Sequence, residues 1–81
     1  MASPVPDTPD ALLTRREAAA ALTAAGFPVA RATLATLASR GGGPPYRRFG
    51  TRPLYLWRDL LAWAESRLTA PMRSTSEADA A

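Results

Sequence analysis

The chain has 81 residues, enough for one small domain, and contains neither cysteine nor histidine. This excludes disulfides, zinc ribbons, thiol nucleophiles and the commonest general base and metal ligand, so no enzyme, cofactor or metal site is expected. All ten basic side chains are arginine and the formal net charge is +3, a balance that favours polyanionic partners.

The first 11 residues hold Pro4, Pro6 and Pro9 among small and acidic residues, and we read them as a disordered leader. The domain begins near Leu12. Thr14 and Glu17 have the spacing of a capping box, which starts a first helix, with Leu13 placed to staple against Ala18. Ala18, Ala21, Leu22 and Ala25 continue it, and Gly26 stops it. Phe27, Pro28 and Val29 form a turn. A second helix is predicted from about Ala30 to Ser39, with Ala30, Leu34, Leu37 and Ala38 on one face. Gly41 to Gly43 end it. Pro44 and Pro45 force an extended entry into a hairpin. Its strands are expected at Tyr46 to Phe49 and Leu54 to Leu56, joined by a turn from Gly50 to Pro53. A third helix starts near Trp57 or Arg58, with Asp59 in its first turn, and runs to Leu68 before Pro71. Residues 69–81 are small and polar and are read as a disordered tail.

The charge is concentrated in the middle. Residues 12–68 carry nine arginines against Glu17, Asp59 and Glu65, between weakly acidic ends. Such a field draws in a polyanion and speeds encounter with it. No stretch approaches the roughly 20 apolar residues of a membrane span. The N-terminus lacks the basic-then-apolar order of a signal peptide.

These features place candidate contacts with double-stranded DNA on three elements. On the second helix, Arg31, Thr36, Ser39 and Arg40 carry polar groups, and Ala32 and Ala35 are able to touch thymine methyls. The same residues also fit an ordinary solvated helix face. On the hairpin, Arg47, Arg48 and Arg52 suit phosphates or a narrow minor groove, or simply a solvated turn. Arg15 and Arg16 open the first helix, where a phosphate would also meet helix-terminal N–H groups. Tyr46, Phe49, Tyr55 and Trp63 are expected in the core rather than in a base-stacking platform, and Phe27 with them. Leu54, Leu56, Trp57 and Leu61, with Leu60, form an apolar run. It either completes the core or is a surface for head-to-tail self-association.

The positions Leu13, Thr14, Glu17, Ala18, Ala19, Leu22, Val29, Thr33, Leu34, Gly43-Pro44-Pro45-Tyr46, Gly50, Tyr55, Asp59, Leu60 and Trp63 together resemble the excisionase-like branch of the MerR-type winged helix-turn-helix proteins. The resemblance spans about residues 12–68. It implies a mostly α, α+β winged helix-turn-helix fold of two helices, a β-hairpin wing and a C-terminal helix. It implies a recognition helix at 30–39, adding Thr33 to the contacts, and a wing at 46–56, adding Thr51. Proteins of this branch include recombination directionality factors, which bind cooperatively near an attachment site and bend the DNA so that a separate integrase favours excision of a mobile element. The branch also includes AlpA-like transcription regulators, and the resemblance leaves both open. It implies a bacterial or phage protein, cytoplasmic and nucleoid-associated. A protein-interaction module that uses the third helix is a further alternative. One departure stands out. The usual Ser or Thr cap of the second helix is Ala30, which forfeits about 1 kcal/mol of capping.

Overall fold

The computed structural model describes residues 4–73. In chain order the elements are β1 (Leu12–Thr14), α1 (Arg15–Ala24), α2 (Arg31–Arg40), β2 (Arg47–Phe49), β3 (Arg52–Leu56) and α3 (Trp57–Ser66). The three strands form one antiparallel sheet in the order β1-β3-β2. The architecture is therefore α+β, with three helices and a three-stranded antiparallel sheet. Among the described residues no helix is long and apolar enough to cross a membrane.

The capping box forms as its spacing requires. Glu17 N–H donates to Thr14 Oγ1 at 3.2 Å, and Thr14 N–H donates to Glu17 Oε1 at 2.9 Å. Hydrogen bonding to Thr14, first to its backbone N–H and then to its side chain, holds the Glu17 carboxyl below its ordinary pKa. A depressed carboxyl stabilises the fold above its unfolded value, and that contribution is lost as pH falls through the lowered one. At the other end of α1, Phe27 N–H bonds Leu22 O at 2.8 Å and Gly26 N–H bonds Thr23 O at 3.2 Å. Gly26 has φ of 104°, so this is a Schellman stop.

α1 packs against α2, α3, β1 and β3. It can do so because its inward side chains are small: Ala18, Ala21 and Leu22 are completely buried. Tyr55 from β3, Trp57 and Leu60 from α3, and Leu34 from α2 close the core around it. α2 contributes Leu34 as its one fully buried residue, so most of its surface faces outward.

Leu13 and Ala18 share the buried core. Leu13 is buried in β1, opposite Tyr55. The hairpin turn is tighter than its sequence suggested, with Gly50 and Thr51 alone between paired Phe49 and Arg52. Gly50 has φ of 65° and, among the described residues, no non-glycine has positive φ, which is the signature of a type II′ turn. Pro53 therefore lies inside β3, paired with Arg48. It is tolerated because β1 ends opposite Leu54, leaving no strand on Pro53's other side.

The segment read as a disordered leader has a structural part. The N-cap of α3 is Leu56, which has no side chain able to accept from the helix. Two of the first N–H groups go elsewhere: Trp57 N–H to Ala11 O at 3.0 Å and Arg58 N–H to Pro9 O at 2.9 Å. Asp10 also pairs with Arg58 at 2.7 Å, and Val5 and Ala11 pack against the core. The pair is well exposed and so adds little. Residues 9–11 thus act as a backbone cap for α3. In the expected tail, residues 69–73 are exposed and carry no helix or strand, and residues 74–81 lie outside the described residues.

Ala30, the N-cap of α2, sits in extended conformation (φ −90°, ψ 151°) and makes no side-chain cap. We expect Ala30→Ser to raise stability by about 1 kcal/mol and Thr14→Ala to lower it by a similar amount, both read as shifts in urea midpoint at constant slope. Removing residues 1–11 is expected to lower stability by about 2 kcal/mol through the two lost helix-capping bonds. An unchanged urea midpoint after truncation would show that residues 9–11 do not cap α3.

Candidate nucleic-acid interface

Two concavities on one side of the molecule share Arg15, Ala35 and Pro53. The first runs from the start of α1 across α2 to β3, lined by Arg15, Arg16, Arg31, Ala32 and Arg52. The second continues between α2 and the hairpin, lined by Ser39, Tyr46, Arg48 and Thr51. Together they bring five arginines from α1, α2 and the hairpin onto one continuous face. Among the described residues, no carboxylate lines either concavity.

Arg15 is the hinge of this surface. Its Nε donates to the Tyr55 hydroxyl at 3.0 Å, and its guanidinium lies 6.0 Å from the Tyr55 ring centroid. The ring is almost completely buried and stacks at a tilt on Tyr46, 5.7 Å away. Tyr55 thereby fixes Arg15 with a neutral partner, leaving its charge uncompensated and the rest of its fork toward the concavity. Arginines off this face are engaged differently. Arg58 pairs with Asp10. Arg67 stacks 5.4 Å from the Trp63 ring and approaches Gly42 O, which also accepts from Trp63 Nε1 at 2.9 Å.

The expected contacts thus divide. Arg15, Arg16, Arg31, Ala32, Ala35, Ser39, Arg48, Thr51 and Arg52 line the face. Arg47 does not. Successive strand residues point to opposite sides, and Arg47 lines a separate concavity with Leu54, Leu56 and Asp59. Thr33 lies on the other flank of α2, with Phe27, Leu37, Trp63 and Leu68 around an apolar concavity. Thr36 and Arg40 are exposed but line neither basic concavity. The Thr36 hydroxyl donates to Ala32 O at 3.1 Å, which uses its proton within the helix.

Two further expectations change. Trp57, a candidate for self-association, is a core residue, 5% exposed, and Leu54, Leu56 and Leu61 are half-buried. The apolar run mostly completes the core, because β3 leads directly into α3 and both pack on α1. Phe49, expected in the core, is 76% exposed. Tyr46 and Pro53 belong to the basic face and were not among the expected contacts. Nothing in the sequence marks the link from Arg15 to Tyr55, which joins positions 40 residues apart.

The division of the hairpin arginines gives a direct test. Arg48→Ala is expected to weaken binding to duplex DNA and to reduce its salt slope by about 1, while Arg47→Ala leaves both nearly unchanged. Equal losses in the two variants, measured by fluorescence anisotropy across salt, would mean the hairpin does not present one side to DNA. In comparisons with known proteins, no family model, no curated protein and no solved structure matches this chain.

Proposed function

We propose that this protein is a small DNA-binding architectural protein of the excisionase type, which binds and bends duplex DNA at an attachment site to direct excision of a mobile element by a separate integrase. In this reading α1 and α2 form a helix-turn-helix, α2 enters the major groove and the β2-β3 hairpin is the wing. The observation that carries it is the face, without a carboxylate among the described residues, on which α1, α2 and the hairpin bring Arg15, Arg16, Arg31, Arg48 and Arg52 together. Arginine forks match phosphate oxygens, and a surface of one sign raises the encounter rate with a polyanion.

The face is better supplied for phosphates than for bases. On the exposed side of α2, Ala32 and Ala35 offer methyl groups and Ser39 a hydroxyl, so direct base readout is thin. Recognition then rests on backbone contacts and on how readily a sequence deforms. That balance suits a protein whose task is to shape DNA. The excisionase role itself draws on the sequence resemblance over residues 12–68, in which several copies load side by side.

If each of the five arginines neutralises one phosphate, log K falls against log salt with a slope of about −4.5. Affinity measured by gel shift is then expected to drop about 500-fold between roughly 50 and 200 mM salt. Footprinting on DNA flanking the protein's own gene is expected to show several adjacent, phased protected segments. A single protected palindrome over a promoter would instead identify a transcription regulator, and salt-insensitive or absent binding would sink the DNA reading.

A further inference from the structure

α2 is the least anchored element of the basic face. It packs chiefly on α1, Leu34 is its one fully buried residue, and its N-cap makes no side-chain bond. The chain leaves it through Gly41, Gly42 and Gly43. The first two have φ of 92° and 89°, backbone that glycine alone adopts easily. Three glycines in a row leave the elements they join wide freedom of movement. Among the described residues, one carbonyl ties this link to α3. Gly42 O accepts from Trp63 Nε1 at 2.9 Å and is approached by Arg67 Nη1 at 3.5 Å, and both donors stand at the C-terminal end of α3. The Arg67 guanidinium lies 5.4 Å from the Trp63 ring centroid and so steadies the ring. On its other side the link presses on α2 itself: a Cβ at Gly43 would stand 2.8 Å from Leu37 Cβ.

We propose that Trp63 is a positioning residue for DNA binding: its indole N–H, steadied by Arg67, latches Gly42 and so fixes the C-terminal half of α2 against the hairpin; this rests on the DNA-binding reading above. That half of α2 supplies Ala35, Ala38 and Ser39 to the concavity whose other wall holds Arg48 and Thr51. The latched link runs from one wall to the other, from the end of α2 at Arg40 to the start of β2 at Arg47. A held link keeps Arg48 at a fixed spacing from α2, so both walls meet a duplex already ordered. A loose link leaves that ordering to be done on binding, which lowers affinity. Trp63 lies in the apolar concavity with Phe27, Leu37 and Leu68 and lines neither basic concavity. It therefore acts on DNA through the link and not by contact.

The test compares the full chain with two variants. Trp63→Phe keeps a ring beside Arg67 and removes the donor, and Arg67→Met keeps the donor and removes the stacked charge. Amide hydrogen exchange of the free protein is expected to speed up about five-fold over residues 35–46 in Trp63→Phe, the loss of one hydrogen bond. Arg67→Met is expected to show a smaller rise over the same residues, and α1 none in either variant. On duplex DNA at low salt, Trp63→Phe is expected to weaken binding about five-fold. In an Arg48→Ala background it is expected to add almost nothing, because the latch acts through the spacing of Arg48 from α2. Faster exchange spread over α1 and α3, with equal losses of affinity in both backgrounds, would mean a general structural role and overturn the proposal. Unchanged exchange over residues 35–46, or faster exchange there with wild-type affinity, would also overturn it and leave the DNA reading intact. Should Trp63→Phe unfold by circular dichroism, wild-type exchange and affinity in Arg67→Met, changed at an exposed position, would overturn the latch by themselves. No binding of wild type at low salt would overturn this role together with the DNA reading.

Discussion

The basic face depends on the placement of Tyr55. Its ring is buried against α1 and Tyr46, and its hydroxyl accepts from Arg15 Nε. One side chain thus joins β3 to the start of α1. A buried phenol needs a hydrogen-bond partner, and an arginine at a helix start needs something to hold its stem. Each meets the other's requirement. Arg15 keeps its charge uncompensated because the partner is neutral, so the contact that completes the core also contributes to the field outside it.

The three helices are anchored to different degrees, and the differences track their positions around this face. α1 has a capping box at one end, a Schellman stop at the other and small residues buried against every other layer. α3 lacks a side-chain cap, but the carbonyls of Pro9 and Ala11 take its first donors. α2 has neither: its N-cap is Ala30 and its one fully buried residue is Leu34. An element held by so little buried surface sits toward the low end of local stability. It is also the element with most surface left for another molecule. Its uncapped first N–H groups and Arg31 lie at the same end, where an anion would satisfy both.

Charge is sorted by element in this fold. Arg58 of α3 and Arg67 just after it have local partners, Asp10 for Arg58 and the Trp63 ring for Arg67. Arg15 and Arg16 of α1, Arg31 of α2, and Arg48 and Arg52 of the hairpin converge where, among the described residues, no carboxylate lines the surface. Mutual repulsion of five guanidinium groups works against bringing them together. In the proposed function, phosphates relieve that repulsion. The contrast with Arg47, one residue along the chain and on the side shared with Asp59, shows how finely the pleat separates the two environments.

Much of the local structure was legible in the sequence because its causes are short-range. Thr14 and Glu17 announce the start of α1, Gly26 its end, and Gly50 the start of the hairpin turn, each through sterics or hydrogen bonds spanning a few residues. The arginine positions and the order of helices, hairpin and helix were legible too. Burial was not, since it depends on which faces meet. Nothing near Phe49 says that it points away from the core, or near Trp57 that it points in. Likewise nothing in Pro9-Asp10-Ala11 shows that their backbone caps a helix nearly 50 residues later. The separation of Arg47 from Arg48 follows from strand alternation, but the side that faces α2 is set only when Tyr55 docks on α1. By itself the sequence determined three helices, a hairpin and a cationic domain, but neither β1 nor the two-residue turn. Tertiary packing decided which cations share a face, because only long-range contacts fix the angles between elements.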